Sequence, residues 1–415
     1  MMESNAVEPA AQQSLEEQRH YRFDRLEVAG SLGDLGTLLP LAIGMIMING
    51  LNPLGLFLSI GVYYIFSGLY FGVTVPIQPM KVIGAYAIAT AMSPAQISAS
   101  GLLMGIALFI IGATGIISFI GKYTPRPVIR GVQLATGTLL MAEGVKFMIG
   151  ASKFQVLREA AEPYLALQHL GPVPIGIIIG VIGAVLTLLL LENRKLPAGL
   201  LVVCGGLGLG LIFGTHEGLG QLSLRVHLPR FLPFAFPTSA DFMFALFALV
   251  LPQLPMTIGN ASIAYADLSR EYFGKNSRKV TYRATCISMA FANFLSFLFG
   301  GMPLCHGAGG LAAHYRFGAR TAGSNIIIGL IFAALALLLG ERVLSVMHLL
   351  PMAILGVLLL FAGGQLALTI IDMRERKDLF VVLVMLGITL ASNLAVGFLA
   401  GIAIAYALKS EKLSV

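Results

Sequence analysis

The chain has 415 residues, 57% of them hydrophobic and only 11% charged. Soluble domains carry about a quarter charged residues, so a water-facing globule is excluded, and a mean hydropathy of +0.86 points to a polytopic membrane protein. Continuous Gly-, Ala- and Leu-rich runs exclude an outer-membrane barrel, whose strands alternate.

The first 25 residues are polar and mixed in charge, with no apolar core, so they read as a cytoplasmic segment rather than a cleavable signal. Fourteen spans are predicted within residues 26–409, at roughly 31–50, 54–70, 73–92, 97–121, 127–149, 173–192, 196–214, 240–266, 281–297, 299–316, 320–340, 343–366, 378–392 and 394–409. A short tail, 410–415, follows. With the N-terminus inside, 20 of the 27 basic residues fall in cytoplasmic segments, Arg126, Arg130, Arg316 and Arg320 among them. Six fall outside, and Lys81 lies within a span. This split is a positive-inside signal. It accounts for the net charge of +7 by topology, with no nucleic-acid partner, and puts both termini in the cytoplasm.

In span 1, GDLGT offers Asp34 and Thr37. A carboxylate repels an anion, so Asp34 suits a partner for Lys81 or a proton carrier, whereas the Thr37 hydroxyl can donate. Span 3 opens VPIQPMKVIG, Val75–Gly84, with two prolines, an amide and a lysine inside an apolar run. A lysine at mid-membrane costs about 2.5–3.5 kcal/mol on insertion scales, so Lys81 is expected to face a cavity or a partner. Pro76 is expected in the first turn of a half-helix, where its missing N–H costs nothing, with Gln78 in that turn as a neutral donor. In span 5, Glu143 and Lys146 are spaced to pair. In span 8, Gln253 and Asn260 are seven apart and so on one helix face. Span 10 repeats the grammar of span 3: FLFGGMPLCHG, with Pro303, then His306 and Gly307 in the place equivalent to the glutamine. His306 can donate or take a proton, and Gly307 permits close backbone approach.

Spans 3 and 10 are seven apart, an odd number, so the second copy is inverted. A 7+7 inverted repeat with two broken helices follows, with short strands before each half-helix. Their N-termini meet at the midplane as an anion site. Cys204, Cys286 and Cys305 are scattered and imply no disulfide framework or metal site. No HExxH, GxSxG or GxxxxGK[ST] motif appears, so neither an enzyme nor a built-in ATPase is expected.

GSLGDLGTLLP (Gly30–Pro40), VPIQPMK (Val75–Lys81), LPQLPMTIGNASIAYAD (Leu251–Asp267) and GGMPLCHGAGGLAAHYRFGART (Gly300–Thr321) together resemble the molybdate transporter family of the sulfate permease superfamily. The resemblance implies a uracil-permease-like fold, with a core domain (spans 1–4 and 8–11) moving against a gate domain (spans 5–7 and 12–14). The tail has no room for the STAS domain common in sulfate permeases, as in the molybdate branch. Wider sulfate permeases often carry Glu near Asn260, so a proton role there does not transfer.

The resulting expectation is a secondary transporter of a tetrahedral oxyanion, molybdate first, with proton symport as an option. It would work by alternating access in a bacterial cytoplasmic membrane. Thr37, Gln78, Lys81, Gln253, Asn260, His306 and Gly307 would contact substrate, and Asp34 or His306 would carry protons. Lipids and a second copy are the other expected partners, and no cofactor or metal is needed. Sulfate, tungstate or another anion, a nucleobase on the same fold, or an uncoupled channel are the alternatives.

Overall fold

The computed structural model describes residues 21–117, 125–193, 197–217, 219–221, 225–410 and 413. Arg19, Lys122, Arg194, Lys195 and Lys412, which entered the charge split, lie outside the described residues, as do residues 1–20 and most of the tail.

Helix α1 (Arg25–Ser31) and helix α2 (Leu35–Met47) meet at 41° and together are long enough for one span. Helix α3 (Pro53–Phe71) starts where Asn52 accepts from Gly55 N–H and proline takes the first turn. It ends at Gly72, whose φ of 71° is the left-handed cap that favours glycine. The chain then runs extended to strand β1 (Gln78–Pro79) and enters helix α4 (Lys81–Thr90). Helices α5 (Pro94–Thr114), α6 (Arg126–Ile149) and α7 (Lys153–Leu157) follow. A small hairpin, β2 (His169–Leu170) with β3 (Val173–Pro174), leads into α8 (Ile175–Leu190) and α9 (Ala198–Phe213).

The second half opens with α10 (Ser239–Ser277), which carries wide π-helical turns at Leu246–Val250 and Thr257–Ala264. Helix α11 (Tyr282–Phe299) stops at Gly300, again at φ 71°. Strand β4 (Leu304–Cys305) and helix α12 (Ala308–Arg316) come next, then α13 (Gly323–Leu339), α14 (Val343–Met347), α15 (Met352–Ala367), α16 (Arg376–Ala391) and α17 (Leu394–Ala407).

Two expectations need correction. Pro76 and Pro303 do not open the half-helices, which begin at Lys81 and Ala308, five residues later. In the first case Pro79 holds Gln78 extended, so the helix cannot start until the second proline has passed. Gln78 is therefore in a strand rather than a helical turn. The span expected at 343–366 is also two helices, broken before Met352 by Pro351.

Among the described residues six helices are long and apolar enough to cross a membrane, or seven with the bent α1–α2 pair. Helices such as α4, with 10 residues, and α8, with 16, are shorter.

Strands β1 and β4 pair antiparallel, with Gln78 opposite Cys305 and Pro79 opposite Leu304. Extended backbone at this depth needs partners, and side chains supply them. Asn325 of α13 brackets Val75, accepting from its N–H and donating to its carbonyl, both at 2.8 Å. Asn293 of α11 brackets Leu304 in the same way at 3.2 and 2.8 Å. Around this crossing α3 packs on α13, α5 on α11 and α6 on α15. On the last pair Gly137 and Gly144 face Gly363 and Gly356. A Cβ on Gly144 would sit 2.6 Å from the Gly356 carbonyl oxygen, so only glycine allows this approach.

Candidate anion site

A cavity of about 560 Å³ opens between α2, α4, α10 and α12 on one side and α6, α8, α9 and α15 on the other. Thr37, Lys81, Asn260 and Gly309 line it, as do Arg130 and Arg316. Lys81 is the first residue of α4, half-buried, with no carboxylate within 4 Å among the described residues. A cation at the positive end of a helix is repelled by the dipole. The two together favour an anion beside them. No side chain caps α12, so the N–H groups of its first turn remain available. A Cβ on Gly309 would meet nothing within 4 Å, which leaves that turn open to the cavity.

The family profile described as "Molybdate transporter of MFS superfamily" matches residues 26–140 and 245–366, more than half of the chain and the elements that build this cavity's inner wall. Molybdate transporter 2 of Arabidopsis thaliana is 31% identical, over 93% of this chain and 88% of its own length. Molybdate transporter 1 of Chlamydomonas reinhardtii is 31% identical over 91% and 90%. The chain belongs to the molybdate transporter family. It is a family of transporters, not of enzymes.

Two solved structures share the fold of this family member. The transmembrane domain of a cyanobacterium bicarbonate transporter, BicA, superposes with TM-score 0.63 at 14% identity, covering 93% of this chain and 98% of that one. The murine Solute Carrier 26 family member A9 anion transporter, in its inward-facing state, gives 0.66 at 13%, covering 99% and 72%. The curated relatives come from a plant and an alga, and none bears on the bacterial source expected above.

Of the residues singled out in sequence, Thr37, Lys81 and Asn260 come together on the cavity wall. The others stand behind them. Gln253 is buried. Its Oε1 accepts from Val82 N–H at 2.9 Å and Ile83 N–H at 3.3 Å, and its Nε2 donates to Thr257 at 2.9 Å. It therefore caps α4 and occupies donors that the half-helix was expected to offer an anion. Of the pair seven apart on α10, Asn260 lines the cavity and Gln253 does not; the wide turn at Thr257–Ala264 begins between them.

Asp34 makes no ion pair with Lys81. Its Oδ2 accepts from Gln78 Nε2 at 2.7 Å, and both residues are buried. Gln78 Oε1 has no partner among the described residues and lies against Gly307, whose missing Cβ leaves room for it. His306 lies outside the cavity lining, with both ring nitrogens engaged. Nδ1 is 3.0 Å from the Pro76 carbonyl, and Nε2 is 2.9 Å from Tyr63 Oη and 3.2 Å from Ser288 Oγ. Glu143 and Lys146 pair at 3.1 Å.

Sequence reasoning missed the opposite wall. Arg130 bonds Asp372, which also takes Arg126 at 2.7 Å, and donates to Gln133 at 2.8 Å. Gln133 in turn accepts from Thr369. Arg130 and Gln133 are three apart on α6, and Gln365 and Thr369 are four apart. That helical spacing on apolar segments was the available signal. It missed His314 as well, which ties α12 to the Gly30 carbonyl at 2.7 Å and to Tyr64 at 3.3 Å. Glu162, also missed, is wholly buried in the segment before α8. Its carboxylate accepts from Met352 and Ala353 N–H at 2.7 and 2.8 Å, capping α15. Burial pushes its pKa up to about 7, against the pull of those two bonds.

Proposed function

We propose that the chain is a secondary transporter of a tetrahedral oxyanion, with molybdate the substrate its relatives' names favour. The observation that carries the reading is Lys81 at the N-terminus of a broken helix, lining the same cavity as the uncapped N-terminus of α12. The Lys81 ammonium, the Thr37 hydroxyl, the Asn260 amide and the first N–H groups of α12 supply donors and positive charge around one dianion. Arg316 and Arg130 line the same cavity and raise the local anion concentration.

A 7+7 inverted repeat of fourteen spans fits the packing. Exchanging the halves turns the α3–α13 contact into α11–α5, and leaves β1–β4 and α6–α15 as pairs. In this reading α1–α5 and α10–α13 form a core that carries the anion past a gate of α6–α9 and α14–α17. The cavity opens on the side of Arg130 and Arg316, which the positive-inside rule makes cytoplasmic. Asp34, held by Gln78 in the core, is the proton carrier if transport is proton-coupled.

Uptake of labelled molybdate into proteoliposomes, with and without a pH gradient, tests the reading, using tungstate and sulfate as competitors. Saturable uptake lost in Lys81→Gln is the expected result. Saturable sulfate uptake without molybdate uptake would keep the site and replace the substrate. Undiminished uptake in a folded Lys81→Gln protein would refute the site.

A further inference from the structure

A second cavity, about 670 Å³, lies on the outer face of the bundle between α3 and α11. Its walls are apolar: Val62 and Phe66 on α3, and Ile287, Phe291 and Leu295 on α11. From Ala284 to Leu295 the groove follows α11 for about 16 Å, close to the roughly 15 Å depth of one leaflet's hydrocarbon. One end is basic. Arg283 lines the groove there beside the Thr281 hydroxyl, and the Lys279 ammonium stands 5.7 Å from the ring of Tyr70, another lining residue. Neither cation has a carboxylate within 4 Å among the described residues, and no Asp or Glu lines the groove. Arg283 Nε and Nη2 are fixed by the Gly112 and Ala113 carbonyls at the end of α5, which holds the guanidinium rigidly in place.

We propose that this groove binds one anionic phospholipid, an acyl chain along α11 and its phosphate on Arg283, Lys279 and Thr281. A long apolar slot one leaflet deep, with unneutralised cations only at one end, matches that chemistry. A second protein copy would instead need complementary carboxylates there. The floor of the groove reaches the broken helices. Tyr63 and Ser288 line it, and they hold His306, whose Nδ1 contacts the Pro76 carbonyl. A lipid chain over Tyr63 excludes water from that triad and steadies the strand crossing. The effect on transport rests on the function proposed above, whereas the binding does not.

The chain has no tryptophan, so Phe291→Trp gives a single reporter in the groove. Leu330→Trp, on α13 and comparably exposed, gives a control. Each is reconstituted in phosphatidylcholine vesicles containing a small fraction of bromoacyl phosphatidylglycerol or bromoacyl phosphatidylcholine. The expected result is a preference for the anionic lipid at position 291, about fivefold per engaged cation, and none at 330. Lys279→Gln should cut the preference about fivefold, and adding Arg283→Gln should abolish it. Should Arg283→Gln fail to fold, Lys279→Gln alone still decides. Equal quenching by both lipids at 291, or a preference that survives loss of the charges, overturns the proposal. So does protection from both lipids accompanied by cross-linking to a second copy. Loss of molybdate uptake with quenching intact would count against the transport reading alone.

Discussion

Gly310 sets two physical arguments against each other. It is the third residue of α12, so helix propensity alone predicts that Gly310→Ala stabilises the protein by about 1 kcal/mol. The site predicts the reverse. An alanine Cβ there would lie 2.6 Å from Asp34 Oδ2, 2.8 Å from Gln78 Nε2 and 2.8 Å from Pro76 Cβ. It would wedge into the 2.7 Å hydrogen bond between Gln78 and Asp34. None of the three can retreat freely. Asp34 and Gln78 are buried, and the Pro76 carbonyl is tied to His306. Opening this buried hydrogen bond and leaving its groups unmet costs about 1–3 kcal/mol, and overpacking adds about 1–3 kcal/mol. Against the propensity gain, the net is a loss of roughly 1–5 kcal/mol. The assay is thermal unfolding in detergent together with anion uptake in proteoliposomes. Gly310→Ala should lower both, and the same change in a Gln78→Ala background should cost less, because one of the clashing atoms is gone. A rise in Tm for Gly310→Ala, with uptake intact, would refute this account of the junction.

Gln253→Leu should destabilise the protein by roughly 2–5 kcal/mol, since Val82 and Ile83 N–H lose their acceptor in a buried place. Gln253→Glu, which keeps an acceptor, should recover much of that in the same unfolding assay. Glu162 makes stability pH-dependent. Its folded pKa is raised from 4.5 to about 7, so its contribution is full below about 4.5 and lost as pH rises through 7, up to about 3 kcal/mol. Tm should fall between pH 5 and pH 8, and Glu162→Gln should flatten that slope; an unchanged slope would assign the pH dependence elsewhere. Finally, Gly36 of α2 and Gly199 of α9 touch across the proposed core–gate boundary, a Cβ on Gly199 standing 2.6 Å from the Gly36 Cα. Gly199→Leu should therefore wedge the two helices apart and cut uptake, whereas Cys204→Ser, at an exposed position on the same helix, should leave it intact. Full uptake in folded Gly199→Leu would sink this reading of the boundary.

The parts of this site that were legible in the sequence are those where one residue violates its surroundings. Lys81 stands out because a charge in an apolar run demands a reason, and paired prolines mark broken backbone whatever surrounds them. The helix start is harder to read: Pro76 has the form of a helix opener, but Pro79, three residues on, keeps Gln78 extended, and the helix begins only at Lys81. The roles of Gln78, Gln253 and His306 were not legible, because an amide or imidazole looks the same whether it binds a ligand or satisfies a neighbour's backbone. Gln253 and Val82 are 171 residues apart, and no local pattern joins them. Asn293 and Asn325 went unremarked for the same reason, although they hold the two extended segments.

These supporting residues bear on why the half-helices sit where they do. An extended segment inside a membrane costs several kcal/mol for each unmet backbone group. Asn325 and Asn293 meet those groups from α13 and α11, Gln253 of α10 meets the first free N–H groups of α4, and His306, just after β4, adds a contact to the Pro76 carbonyl. All four lie on elements of the proposed core. The gate helices contribute none of these bonds, so the strand crossing can move against them without breaking one. The polar residues that looked like ligands in the sequence therefore serve the anion indirectly. In the proposed scheme they let Lys81 and the open end of α12 travel as one rigid unit, with Thr37 and Asn260 on the cavity wall beside them.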